Sequence, residues 1–250
     1  MRYELKMAGH LFRKDGLMPV IRRMLHYVFK MPRYLVFSLK QKHNGRDLSL
    51  QDLVNYAFTG SGGLIKPLQV RSEILQLLQI IKLRRPKHVL EIGTSNGGTL
   101  FLFTRVASND ACIISLDLPL GPYGGGYPSW KIPFFKSFAK DHQKISLLRL
   151  DSHLESSLEN IKSILAGEKL DLLFIDGDHS YEGVKMDFHM YKPLVRKEGL
   201  IIFHDIVRVF SDNGCQVSYF WDEVRLRYET TEIIENKKQN GFGLGIVVNR

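Results

Sequence analysis

The chain has 250 residues, 44% hydrophobic and 24% charged, which suits one sizeable α/β domain with an appendage and excludes a disordered or fibrous chain. Two cysteines, Cys112 and Cys215, exclude the disulfide framework of a small secreted protein; Cys112 sits in an apolar run, and a reducing, cytoplasmic setting is expected. The net charge of +9 lies wholly within residues 1–46, where eleven Lys and Arg face only Glu4 and Asp15, leaving the rest neutral.

That basic segment has no apolar stretch of secretory or membrane-spanning length. Met18, Ile21, Met24, Leu25 and Val28 recur at helical spacing, with Arg22, Arg23 and His26 on other faces, and Pro32 interrupts the run. The expectation is a basic amphipathic helix. It packs either on its own domain or a second copy in a homo-oligomer, or on a membrane surface or other anionic partner. Nucleic acid is disfavoured, because no aromatic platform or zinc spacing accompanies the charge. Residues 1–61 are read as a helical N-terminal extension and 62–250 as the main domain.

A helix is expected over Asp47–Phe58, ending at the Gly60–Gly63 loop. A second over Val70–Leu83 places Ile74, Leu77, Leu78 and Ile81 on one face before Pro86. Strand and helix then alternate, the signature of a doubly wound, mainly parallel sheet. Strands are expected at His88–Ile92, Cys112–Leu116, Ile145–Leu150, Leu170–Ile175 and Leu200–Phe203. A helix with Val184, Phe188, Tyr191 and Val195 on its apolar face follows the fourth, and another runs from Val217 to Tyr228. Two closing strands, Thr231–Glu235 and Gly243–Val248, flank the hairpin signal Asn240-Gly241. The Gly- and Pro-rich, aromatic segment Gly121–Trp130 reads as a wall or lid of a substrate pocket.

Chemistry concentrates at strand ends. In Val89-Leu90-Glu91-Ile92-Gly93-Thr94-Ser95-Asn96-Gly97-Gly98 an apolar strand turns through glycine into a helix, a geometry that brings a ligand close to backbone N–H groups. A dinucleotide site would place glycine at Ser95 to clear a pyrophosphate. Serine there favours a ligand without phosphate, and Glu91 adds an acid where a cationic end is welcome. Asp117 ends the next strand, where a carboxylate can accept hydrogens from both ribose hydroxyls. Asp151-Ser152, ending the third, can reach an adenine amino group. Asp176, His179, His204 and Asp205 converge after the fourth and fifth strands. Such oxygen and imidazole groups suit a divalent cation, and His179 alternatively serves as general base.

Together these segments resemble the class I S-adenosylmethionine-dependent methyltransferases, most closely the methyltransferase-24 type related to catechol and caffeoyl-coenzyme-A O-methyltransferases. The resemblance spans about Gly62 to Val248. It implies a Rossmann-like seven-stranded sheet with its last strand antiparallel, and S-adenosylmethionine as cofactor, bound by Glu91, Gly93, Thr94, Ser95, Gly97, Asp117, Asp151, Ser152 and Asp176. In the catechol-type enzymes an Asp matching Asp176 binds Mg²⁺ and a Lys three positions on is the base. Here that position is His179. An Asp-Asn pair supplies further metal ligands there; Asp205 matches the Asp, Ile206 replaces the Asn, and His204 is the substitute ligand. Pro67-Leu68-Gln69 borders the cofactor in this group.

The resulting expectation is O-methylation of a small hydroxylated acceptor, a sugar, glycan or natural product, with His179 and Asp176 as catalytic residues and Asp176, His204 and Asp205 holding Mg²⁺ or another divalent ion. The alternatives are an RNA methyltransferase, a nicotinamide-dependent oxidoreductase and a non-catalytic cofactor-binding module. No amide-donor motif such as Asn-Pro-Pro-Tyr supports the first, and Ser95 disfavours the second.

Overall fold

The computed structural model describes residues 32–38, 48–119, 121, 126–210 and 214–250. The amphipathic helix expected over Met18–Val28 and the middle of the Gly121–Trp130 segment lie outside these residues. The chain forms two compact units. In the smaller one, helix α1 (32–38) and the stretch Pro128–Phe138 are described. There Tyr34 meets Trp130 and Phe134 edge-on at 5.0 and 4.6 Å, and Phe134 packs on Phe138 at 4.9 Å. Such aromatic pairs add to the gain from burial.

The larger unit, Leu48–Tyr127 with Ala139–Arg250, holds the sheet. Helix α2 (Leu50–Asn55) starts where Ser49 Oγ accepts the Asp52 amide at 3.1 Å, and passes into a π-helical turn, Tyr56–Gly60. Helix α3 (Arg71–Arg84) buries the expected face, Ile74, Leu77, Leu78 and Ile81, and ends at Arg85, left-handed at φ 46°. The sheet has seven strands in the order β3-β2-β1-β4-β5-β7-β6, with β1 His88–Ile92, β2 Cys112–Leu116, β3 Lys144–Leu148, β4 Leu170–Ile175, β5 Val195–His204, β6 Thr230–Ile233 and β7 Leu244–Val248. Only β7 runs against the others, between β5 and β6. Helices cover both faces, so β1, β2 and β4 are nearly continuous apolar runs.

Strand ends depart from the expectations where neighbours decide them. β3 stops at Leu148 because its partner β2 stops at Leu116, and Arg149-Leu150 continue beyond the paired register, where Arg149 Nε donates to the Tyr127 carbonyl at 3.1 Å. β5 starts at Val195 and irregularly pairs with β4, Val195 opposite Leu170 and Leu200 opposite Leu172. Val195 therefore belongs to a strand and not to the apolar face of the preceding helix α7 (Tyr181–Tyr191). β6 and β7 are antiparallel neighbours, but residues 234–243 join them as a long connection and not as a tight Asn240-Gly241 turn. The chain leaves β1 toward β2 and β3, then returns to place β4 on the other side. The crevice at that reversal, outside the carboxyl ends of β1 and β4, is where open α/β sheets bind ligands.

Candidate active site

β1 ends at Ile92, and Gly93 turns the chain with φ 91°. A Cβ on Gly93 would lie 1.9 Å from the Asp176 carbonyl oxygen, so only glycine lets the ends of β1 and β4 approach this closely. Helix α4 (Gly98–Val106) then begins, with Gly97 in the left-handed region before it. Asp117, ending β2, closes the turn: its Oδ2 accepts the Thr94 amide at 3.1 Å and the Ser95 amide at 2.8 Å. Burial pushes the Asp117 carboxyl up to about 6, partly offset by these amides, and the Asp176 charge adds to the rise.

A cavity of about 630 Å³ opens over this edge. Its lining includes Gly93, Thr94, Ser95, Asp117, Asp151, Ser152, Asp176, His179, His204 and Asp205, so the parallel strands bring these sequence-predicted residues together. Glu91 and Gly97 do not line it. Glu91 faces the interior with no exposed surface, because the turn carries the chain over it. Burial holds its carboxyl well above the usual range; Thr94 opposes this, while Asp117 and Asp176 reinforce it. The Thr94 hydroxyl is shared with Ser115 at 2.5 Å, and neither Glu91 oxygen has a hydrogen-bond partner among the described residues. The direct ligand contact expected for Glu91 is thus replaced by a position behind the pocket wall. Gly97 shapes the helix start.

At the other side of the crevice, Asp176 follows β4, with its amide donating to the Ile92 carbonyl at 2.8 Å. Its Oδ2 accepts from Gln69 Nε2 at 2.9 Å, and Oδ1 lies 3.0 Å from His204 Nδ1 and 3.5 Å from His179 Nε2. Asp205 Oδ2 lies 3.3 Å from both His179 Nδ1 and His204 Nδ1. Two imidazoles thus sit between two carboxylates. Burial alone would raise the Asp176 carboxyl, but His204 and His179 overcome it and hold it well below the usual carboxylate range. Burial opposes a charge on His179, yet Asp176, Cys215 and Asp205 together lift its pKa to about 10. His204 is raised in the same way by Asp176 and Asp205, against its burial.

Asp176, His204 and Asp205 each offer one ligand atom, all within 4.8 Å of one another. His204 joins the cluster through Nδ1, while its buried Nε2 has no hydrogen-bond partner among the described residues. Two carboxylates and an imidazole fit a borderline ion such as Mn²⁺, Fe²⁺ or Zn²⁺ better than Mg²⁺, which prefers oxygen. Ile206, where the catechol-type enzymes carry an amide, is an apolar core residue that offers no ligand.

Pro67, Leu68 and Gln69, expected from the family resemblance to border the cofactor, line the cavity, and Gln69 is buried and bridges Asp176 and Thr99, whose Oγ1 donates to its Oε1 at 3.2 Å. Other pocket residues carried no functional expectation. His153 lines the pocket one residue past Ser152, with Nε2 3.4 Å from the fully buried Asp187 of α7. Cys215, Asn240 and Phe242 enter from loops that no sequence pattern places there. Gly121 and Gly126 of the expected lid line the cavity too.

Residues 90–206 match a family model described as a methyltransferase domain. An uncharacterized protein, y4gI of Sinorhizobium fredii, is 28% identical over 144 residues, 56% of this chain. The chain spans only 15% of that relative's length. Among solved structures, the O-methyltransferase from Bacillus cereus in complex with SAH superposes with a TM-score of 0.52 at 17% identity, over 85% of this chain and 95% of that one. The MycE methyltransferase from the mycinamycin biosynthetic pathway, in complex with Mg, SAH and mycinamycin VI, gives 0.53 at 17% identity, over 82% and 55%. At such identity the likeness lies in the fold. No helix among the described residues is long and apolar enough to cross a membrane.

Proposed function

We propose that the chain transfers a methyl group from S-adenosylmethionine to a hydroxyl of a small acceptor such as a sugar, glycan or natural product, a reading supported by the match of residues 90–206 to a methyltransferase-domain model. One observation carries this reading. The turn amides of Thr94 and Ser95, which a dinucleotide site would offer to pyrophosphate, are already bonded to Asp117. The Asp117 and Asp176 carboxylates stand beside them, so the site disfavours a diphosphate and favours a cationic ligand. S-adenosylmethionine is such a ligand: it carries a sulfonium and an ammonium, and it supplies the methyl group when bound.

Each residue then has a task. Gly93, Thr94 and Ser95 shape the cofactor turn, Asp117 accepts from the ribose hydroxyls, and Asp151 with Ser152 borders the adenine. Gly97 starts the helix beneath. Asp176 faces the reacting end and, with Asp205, orients the imidazole of His179. These carboxylates raise the basicity of the His179 imidazole. Once they face a positive charge that effect weakens, and His179 becomes the base that takes the acceptor hydroxyl hydrogen. Asp176, His204 and Asp205 would hold a divalent cation, which lowers the pKa of a hydroxyl beside it. The remaining work is alignment of acceptor oxygen, methyl carbon and sulfur in the shared cavity.

Calorimetry with S-adenosylmethionine and its demethylated product tests the cofactor half. Asp117→Ala should weaken binding by roughly tenfold to a hundredfold, as expected for losing hydrogen bonds to a charged group. Unchanged affinity would overturn the assignment of Asp117. His179→Ala should lower kcat about 10²–10⁴-fold while cofactor affinity stays, the range for losing a general base. Equal turnover in that variant would remove His179 as base.

A further inference from the structure

The acidic and imidazole groups of the pocket do not form a single constellation. We propose that His179, Asp205 and Cys215 form a second, thiolate-containing metal site that overlaps the Asp176–His204–Asp205 set at Asp205 and takes a thiophilic divalent cation such as Zn²⁺.

The ligand atoms of these three residues lie within 4.8 Å of one another, all three side chains are partly exposed, and all three line the cavity. Tetrahedral zinc with its usual bond lengths places neighbouring ligand atoms roughly 3.4–3.7 Å apart. His179 Nδ1 and Asp205 Oδ2, at 3.3 Å, already stand near that spacing. The cysteine is brought to them by backbone ties. The Gln216 amide donates to the His179 carbonyl at 2.7 Å, and Gln216 Oε1 accepts the Tyr181 amide at 3.1 Å. The residue after Cys215 is thereby pinned to the start of α7, and Cys215 faces His179.

Asp205 is the pivot. Its Oδ2 is equally distant from His179 and His204, so it can serve a cation on either side. On the His204 side the set is two carboxylates and an imidazole. On the His179 side one carboxylate gives way to sulfur. Thiolate selects zinc, cadmium and cobalt over magnesium and manganese. The two sets share one carboxylate oxygen, so the sites compete. A cation on the sulfur side occupies the His179 ring and leaves a fourth position open to the cavity. It therefore blocks proton removal by His179. That last consequence rests on the proposed methyl transfer; the site itself does not.

The chain has only one other cysteine, Cys112, which starts β2 and does not line the pocket. Thiolate–metal spectroscopy can therefore be read without ambiguity. The reduced, chelator-stripped full chain is titrated with Cd²⁺ and with Co²⁺, and thiolate-to-metal charge-transfer absorption is followed. One equivalent should produce the band, and Zn²⁺ should displace it. The band should vanish in Cys215→Ser, form at least tenfold more weakly in His179→Ala, and persist in Cys112→Ser and Asp176→Asn. No band in the wild type overturns the site, whichever variants fold. A band surviving Cys215→Ser, or lost in Cys112→Ser, overturns it as well. Calorimetry with the demethylated cofactor on the same metal-free sample reports the methyltransferase reading separately, so failure of one is distinguishable from failure of the other.

Discussion

Burial sets the ionisation of individual side chains around the pocket, and His153 gives the most direct test of it. Its ring faces Asp187 on one side, while Asp151 and Asp178 add negative charge nearby. The Asp187 carboxylate, 3.4 Å from Nε2, outweighs the cost of burial and lifts the imidazole to about 9. Asp187 itself is pushed up, because complete burial outweighs the help from His153 and Ser152. The folded pKa of His153 exceeds its unfolded value of about 6.5. Its contribution to stability is therefore fully present below that pH and is lost as pH rises through about 9. Thermal melts from pH ~6 to ~10 should show the wild type losing its margin over His153→Gln across that window. A constant margin would mean that the ring is not held charged. None of this was legible beforehand, since Asp187 is one of two acids on its helix until the fold carries it under the loop after β3.

Strands and helices meet at a few positions where no side chain fits. Gly93 is the sharpest case, because the β1 turn and the β4 end touch backbone to backbone. Gly93→Ala combines a positive φ with a Cβ inside the Asp176 carbonyl. It should destabilise the domain by at least about 4 kcal/mol, the range reserved for severe backbone and packing defects, and denaturant titration would measure it. On the far side of the sheet, Gly245 of β7 gives its space to Trp221 of helix α8 (Val217–Arg227). A Cβ there would lie 2.5 Å from the indole. Gly245→Ala should cost about 1–3 kcal/mol by overpacking, and unlike Gly93 this position does not line the pocket; a loss below ~0.5 kcal/mol would show that the indole yields freely. The turn at Gly93 was visible in the sequence as a break in an apolar run. The close approach at Gly245 was not, because its partner is 24 residues away on another element.

At the scale of the whole molecule, the sheet orders the stability. β1 and β4 lie at its centre, and their apolar residues are almost wholly shielded. β3 and β6 are its edges, with exposed residues at Lys144, Thr231 and Glu232. Hydrogen exchange should be slowest in β1, β4 and the Leu200–His204 half of β5, and fastest in β6. Exchange in β6 as slow as in β4 would show that the edge opens only with the core. The charge distribution adds a second feature at this scale: the excess positive charge belongs to residues 1–46, while the remainder carries no net charge. Within residues 47–250, which carry no net charge, the pocket gathers its own acids and histidines.

Alternating strands and helices with glycine turns were enough to determine a doubly wound sheet, the ranges of β1, β2 and β4, and a crevice with Asp117, Asp176 and Asp205 directly after strand ends and Asp151 a little beyond one. That much is local: strand periodicity and turn chemistry are written in neighbouring residues, and parallel strands carry their carboxyl ends to one edge. The tertiary structure alone decided where β3 and β5 end, since a strand lasts only as long as its partner. It also turned Glu91 inward, laid Gln69 on Asp176, set Asp187 behind His153 and brought Cys215 to His179. These contacts join residues far apart in the chain, and their energies come from burial and from charges facing one another, which exist only once the chain has folded.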